Sequence, residues 1–147
     1  MKKNRNSVPF RLLDITTEQF AVFQENHKAG NYEFEINFRT KVNISSEEKT
    51  VGIFTNYSFS QKVGIVLVLE CACHFNIEEN HWNKSIDNGI LTLDKGLLTH
   101  FLVLTVGTSR GVLHAKKPKW LENMMLPTLN VTSIIGEDMS FDLTDEE

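Results

Sequence analysis

The sequence has no cluster of basic residues: 15 Lys and Arg against 19 Asp and Glu leave a net charge of −4. A dedicated nucleic-acid binder draws most of its affinity from neutralising phosphates, so no nucleic-acid partner is expected. No apolar run reads as the roughly 20 residues that a membrane-spanning helix needs, and no membrane insertion is expected. The basic start MKKNRNSVPF is not followed by an apolar stretch, so it does not read as a secretory signal, and a cytoplasmic location is expected. Cysteine is scarce: Cys71 and Cys73 are the only two. One residue apart on a strand, they lie near the upper limit of bridging distance, and reduced thiols suit a cytosol.

Recognisable chemistry is also missing. Cys71-Ala72-Cys73-His74, with His81 nearby, suggests metal ligands. On a strand, however, the two cysteines share the core face while His74 points away, and a structural zinc site needs four convergent ligands. No metal is expected, and the cysteines read as small hydrophobes. Residues 106–111 (VGTSRG) lack the spacing of a phosphate-binding loop and sit within a helical pattern. The five histidines have no Ser, Cys or carboxylate partner at a catalytic spacing. The expectation is therefore no catalytic residue, no cofactor and no enzymatic activity. Four Asn-x-Ser/Thr sites (Asn43, Asn56, Asn83, Asn130) matter only in a secreted eukaryotic protein and read as chance.

What is present is an ordinary globular composition. With 147 residues, 41% apolar and 23% charged, the chain suffices for one domain with a real core. Residues 10–23 read as a strand with Leu13, Ile15 and Thr17 on one face, and Gly30-Asn31 as a turn. Residues 32–42 alternate Phe34, Ile36 and Phe38 against polar neighbours, and residues 51–59 alternate Ile53, Thr55, Tyr57 and Phe59. The strongest strand is 63–77, where the odd positions Val63, Ile65, Leu67, Leu69, Cys71, Cys73, Phe75 and Ile77 are all apolar. Short connections favour an antiparallel sheet. A long helix follows: Asp94 suits the N-cap, Leu97, Leu98, Phe101, Leu104 and Val112 recur at helical steps, and Pro118 stops it. Four strands and then a helix read as α+β, with the helix on one face.

Burying each large odd-side residue of the fourth strand is worth roughly 1.5–3 kcal/mol, so that face must be covered, and the helix is the element long enough to do it. The opposite side, with Phe54, Val66 and Val68, is apolar for a surface and reads as a binding face. The helix carries apolar residues around too much of its circumference for one partner. Gly107 and Gly111 leave a flat face for close approach, and Arg110 reads as bonding across an interface. A second copy of the chain is expected there.

Residues 10–22 (FRLLDITTEQFAV), Phe75-Asn76-Ile77, Ser109-Arg110 and 127–130 (PTLN), in this order and spacing, resemble the SecB family of export chaperones over residues 10–135. The resemblance implies a four-stranded Greek-key sheet, a long helix in the dimer interface and a dimer of dimers. It implies ATP-independent holding of unfolded polypeptides, including export precursors, in apolar grooves. Residues 1–9 then read as a flexible N-terminus and 136–147 as an acidic tail, with the family's second helix short or absent. The acidic positions through which the family engages the SecA motor fall on Gln19 and Phe23, with Glu18 and Glu25 adjacent. SecA is thus a weaker inheritance than client holding. Two other readings stand beside export: a dedicated chaperone of one labile partner such as an antitoxin, and a small-ligand binder sharing only the fold.

Overall fold

Four long strands dominate the computed structural model, which describes residues 8–145. They are β1 (Phe10–Val22), β2 (Glu35–Ser45), β3 (Thr50–Gln61) and β4 (Gly64–Ile77), all antiparallel, in the order β1-β4-β3-β2. β2, β3 and β4 form successive hairpins, and β1 reaches the far side of β4 by a long connection, which is a Greek key. A short helix α1 (Glu79–Lys84) then leads into the strands β5 (Ile86–Asp87) and β6 (Ile90–Leu93). The helix α2 (Lys95–Lys116) follows, then a four-residue helix α3 (Val131–Ile134) and a strand β7 (Met139–Asp142). β5, β6 and β7 make a second, small antiparallel sheet.

α2 begins and ends where its residues require. The Asp94 carboxylate accepts the N–H groups of Gly96 (2.8 Å) and Leu97 (3.3 Å), which otherwise have no intrahelical partner. His114 and Lys116 fall in the last turn, and extended backbone at Lys117 precedes Pro118. The face that meets the sheet is Leu97, Leu98, Phe101, Leu102, Thr105, Val106, Ser109 and Leu113, two residues per turn at first and one per turn from Ser109 on. Leu104, expected on that face, is exposed, and Val112 is half-buried. α2 is also, by length and composition alone, long enough to cross a bilayer, against the expectation that no stretch is. Its apolar surplus serves the sheet instead: the Phe101 ring stacks on Phe75 at 4.1 Å and 3°.

The alternation of β3 and β4 sorts their side chains cleanly over most of their length. Val51, Ile53, Thr55, Tyr57 and Phe59 on β3 and Leu67, Leu69, Cys71, Cys73, Phe75 and Ile77 on β4 are buried beneath the helix side. The pattern breaks at the β3–β4 hairpin. Phe59 pairs with Leu67 but Ser60 pairs with Ile65, so Val66 is an extra residue in a β-bulge. Beyond the bulge the faces exchange: Ile65 is 42% and Val63 76% exposed, where continuous alternation would bury both. β1 carries two more irregularities against β4, between Leu12 and Asp14 and between Thr17 and Gln19. Leu12, Ile15 and Thr17 therefore share a side, and Leu13 is the inserted residue.

Residues 8–9 and 136–145 are more structured than a flexible arm and an acidic tail. Among residues 1–9, those from 1 to 7 lie outside the described residues, but Val8 packs against the core and the Pro9 carbonyl accepts the Glu78 N–H at 3.0 Å. β7 pairs with β6, and Met139 and Phe141 pack against the main core. The Asp138 carboxylate accepts the Lys95 N–H at 2.8 Å, tying this segment to the start of α2. Glu146 and Glu147 lie outside the described residues.

Between sheet and helix sits a small polar group. The Thr55 and Ser109 hydroxyls share a hydrogen bond of 2.8 Å, and Ser109 also donates to the Thr105 carbonyl. The buried Tyr57 hydroxyl lies beside them without a well-formed hydrogen bond of its own. Burial pushes its pKa up to about 12. The folded state therefore resists ionisation that the unfolded chain undergoes near pH 10. Stability is full below pH 10 and is lost progressively as pH rises towards 12, by roughly 2–3 kcal/mol. Tyr57→Phe removes both the unpaired hydroxyl and the titration, so denaturant melts at pH 8 and pH 11 should show the variant at least as stable as the parent and flatter with pH.

Candidate functional site

The outer face of the sheet, away from α2, is not the apolar surface its sequence suggests. Val66 is 0% exposed and packs with Tyr57, Phe59, Leu67 and Leu113, because the bulge turns it to the core side. It is thus a core residue and not an outer-face contact. Phe54 and Val68 do face outwards and are half-buried. Phe54 lies under the Lys41 ammonium, 4.7 Å from its ring centre, with the His74 ring edge-on at 5.8 Å. Arg39, Lys41, Asn56 and Glu70 surround it in a shallow depression of about 380 Å³. Around those two side chains the face is polar and of mixed charge.

Uncovered apolar surface lies elsewhere. Leu12 and Ile15 of β1 are exposed although they are on the helix side, because α2 lies over β3 and β4 and meets β1 only on either side of these residues, at Phe10 and Phe20. Both long outer strands, β1 and β2, have a free backbone edge in the four-stranded sheet. Along the edge of β2 runs a cleft of about 590 Å³, between Thr40, Lys41 and Val42 on one side and residues 134–139 on the other. Ile134, Ile135 and Met139 give it apolar walls. An open strand edge beside an apolar wall can take an extended peptide as an added strand, with main-chain bonds for affinity and side-chain pockets for selectivity. Sequence reading missed the far wall because residues 136–147 read as a tail; the alternation Met139, Ser140, Phe141, Asp142 was the available signal.

The outward face of α2 carries the residues expected at a contact between copies. Gly107 and Gly111 are exposed, and a Cβ at either would meet nothing within 4 Å. Val103 and Leu104 are exposed beside them on the same face. Arg110, expected to bond across an interface, donates instead within the chain, from Nη2 to the Pro127 carbonyl at 3.0 Å. It holds the segment after α2 against the helix.

Cys71 and Cys73 are free and buried on the core face. His74 is on the outer face, 3.2 Å from the Thr16 hydroxyl, which donates to Glu18 at 2.7 Å. Glu18 lies on the outer side with Thr16, as alternation requires, and the bulge brings Gln19 to that side too, opposite Glu70, where strict alternation would turn it inwards. No group of three or more His, Cys, Asp or Glu able to hold a metal occurs among the described residues. The long inner face and its covering helix bring together no acid–base pair.

These features define an α+β fold of SecB-like type: a Greek-key sheet, one face under a long helix, edges open. No protein-family model matches the chain, and no curated protein matches it. Among solved structures it is similar to the Mycobacterium tuberculosis Rv1957 SecB-like chaperone in complex with a ChAD peptide from the Rv1956 HigA1 antitoxin. The TM-score is 0.52 at 14% sequence identity, over 82% of this chain and 90% of that chain. The likeness is one of fold.

Burial pushes the Cys71 thiol up from its ordinary value, which disfavours the reactive thiolate. Both cysteines are fully buried, so Cys71 and Cys73 should react with an aromatic disulfide reagent only as fast as the protein unfolds. Rapid modification of either under native conditions would show that the inner face is open to solvent.

Proposed function

We propose that the protein is a SecB-like molecular chaperone, a non-enzymatic protein that holds extended or unfolded segments of other polypeptides without nucleotide. The observation that carries this reading is the cleft between the free edge of β2 and residues 134–139. Its apolar walls and unpaired backbone select for chains that present accessible apolar stretches in extended form, which folded proteins do not. That a protein of like fold is a chaperone in complex with an antitoxin peptide supports a polypeptide as the ligand class. It favours one labile partner, such as an antitoxin, over export precursors at large. The positions that the family resemblance gives to SecA docking carry Gln19 and Phe23, so holding, and not delivery to that motor, is the activity proposed.

The test is suppression of aggregation of a chemically denatured model protein, with and without ATP. The wild type should suppress at stoichiometric excess equally in both conditions. Ile134→Asp places a charge at the cleft wall and should weaken suppression by about tenfold, since losing one apolar contact site of this size is worth on the order of 1.5–3 kcal/mol. Phe54 and Val68 remain candidates for a second contact on the outer face; Val68→Asp should leave the melting curve intact and reduce suppression only if that face is used. No suppression by the wild type sinks the general reading.

The same proposal includes a homo-oligomer, a dimer of dimers, joined through the outward face of α2. Val103 and Leu104 are apolar side chains at a face where Gly107 and Gly111 permit close backbone approach. Because a Cβ at Gly111 meets nothing within 4 Å in the protomer, Gly111→Leu should keep the protomer fold while overpacking the contact. Light scattering should show a mass above one chain for the wild type and a shift towards the 16.8 kDa protomer for the variant. A monomeric wild type at micromolar concentration overturns the assembly.

A further inference from the structure

At the far end of α2, away from the β2 cleft, the segment after Pro118 folds back over the inner face and leaves a second cavity, of about 170 Å³. Its floor is Leu113, Met124 and Leu126, all buried. Its rim is Arg110, His114 and Lys117, and no acidic side chain lines it. The volume is close to that of an apolar cavity that accepts one benzene, about 150 Å³, so it seats one side chain and no more. We infer that this cavity is a seat for the C-terminal residue of a bound polypeptide, taking an aliphatic side chain on its floor and the terminal carboxylate at its rim.

Two features of the rim point to a carboxylate. Arg110 and Lys117 are held in place by bonds to main-chain carbonyls: Arg110 Nη2 to Pro127 at 3.0 Å, Lys117 Nζ to Glu122 at 2.7 Å and Met124 at 2.9 Å. These partners are neutral, so two full positive charges beside the cavity have no anion there. The guanidinium keeps further N–H groups for a carboxylate, the geometry that arginine favours. The negative end of the helix dipole opposes an anion at this site, but it amounts to about half a charge against two. A chain end fits better than an internal acidic residue. In a terminal residue the side chain and the carboxylate branch from one Cα, matching a floor and rim enclosed in a single small cavity, whereas an internal segment needs an exit on both sides. The two methionines, Met124 on the floor and Met125 at the mouth, allow the seat to adapt to different aliphatic side chains.

This inference rests on the polypeptide-holding reading and gives it a polarity: a client's end is anchored at the α2 terminus. The probe is a fluorescein-labelled, short Gly/Ser peptide ending in Leu, measured by anisotropy against the full-length protein as a free acid, as a C-terminal amide, and with Gly-Gly added after the Leu. The free acid should bind about tenfold tighter than either other form, the value of a charge-assisted bond over a neutral one. That preference should shrink with added salt. Arg110→Gln should abolish it, and so should His114→Glu, which sets a carboxylate against the bound anion at an exposed rim position. Equal binding of acid and amide overturns the inference, as does an acid preference that survives both substitutions, or equal binding of the Gly-Gly form. The holding activity is read separately, by aggregation suppression. Its failure beside a retained acid preference removes the chaperone reading and leaves the seat.

Discussion

The stack of Phe101 on Phe75 is the contact on which the rest of the molecule depends. It pins α2 across the inner face of β3 and β4 at the point where Phe10 also arrives, edge-on to Phe101 at 4.9 Å and to Phe75 at 5.8 Å. Aromatic pairs of this kind contribute about 0.5–1.5 kcal/mol beyond their area, and here three rings from β1, β4 and α2 share the gain. Further along the helix the Thr55–Ser109 hydroxyl pair satisfies two buried polar groups that would otherwise oppose the same contact. An apolar stack at one end and a matched polar pair nearer the other set the helix's rotation. That rotation decides which side chains face out.

Much of this was legible in the residues themselves. Asp94 and Pro118 bounded the long helix, and the alternation of 51–59 and 67–77 gave the inner face. What alternation cannot show is a break in its own period. One extra residue at Val66 moves that side chain from surface to core and sends Val63 and Ile65 to solvent, and no local feature of a run of aliphatic residues marks the place. The helix pattern failed for a related reason. With Leu102, Val103, Leu104 and Val106 all apolar, several stripes fit a period of 3.6, and only the sheet it meets selects among them. The cleft was hidden because its far wall, residues 134–139, joins a four-residue helix to a four-residue strand, both too short for periodicity to register.

Two sheet edges left open are a hazard as well as an opportunity, since an unpaired strand invites uncontrolled pairing between copies. The structure moderates both edges in different ways. β2 carries Arg39 and Lys41 on its outer side, charges that discourage a flat second sheet from stacking, and residues 134–139 stand off its edge at a distance that leaves a cleft. β1 is bent by its two irregularities, which breaks the straight register that a neighbouring strand would need. On β2, the backbone of Thr40, Lys41 and Val42 is thus reached through the cleft, beside residues 134–139.

The same reasoning explains why the tight core and the open surface coexist in one small domain. Stability comes from the inner face, whose buried aliphatic and aromatic side chains are committed to α2. Among the apolar side chains left over are some that the helix cannot cover: Leu12 and Ile15 beyond one flank, Val103 and Leu104 on its back. A longer or more strongly wrapped C-terminal segment could cover them, but α3 is only four residues and the chain turns away to pair with β6. Covering α2's back would stabilise the protomer and remove the face available to a second copy. Closing the β2 edge with another strand of this chain would remove the cleft. Each of these exposed elements is therefore one that the protomer could have covered internally only by closing a surface on which the proposed contacts depend.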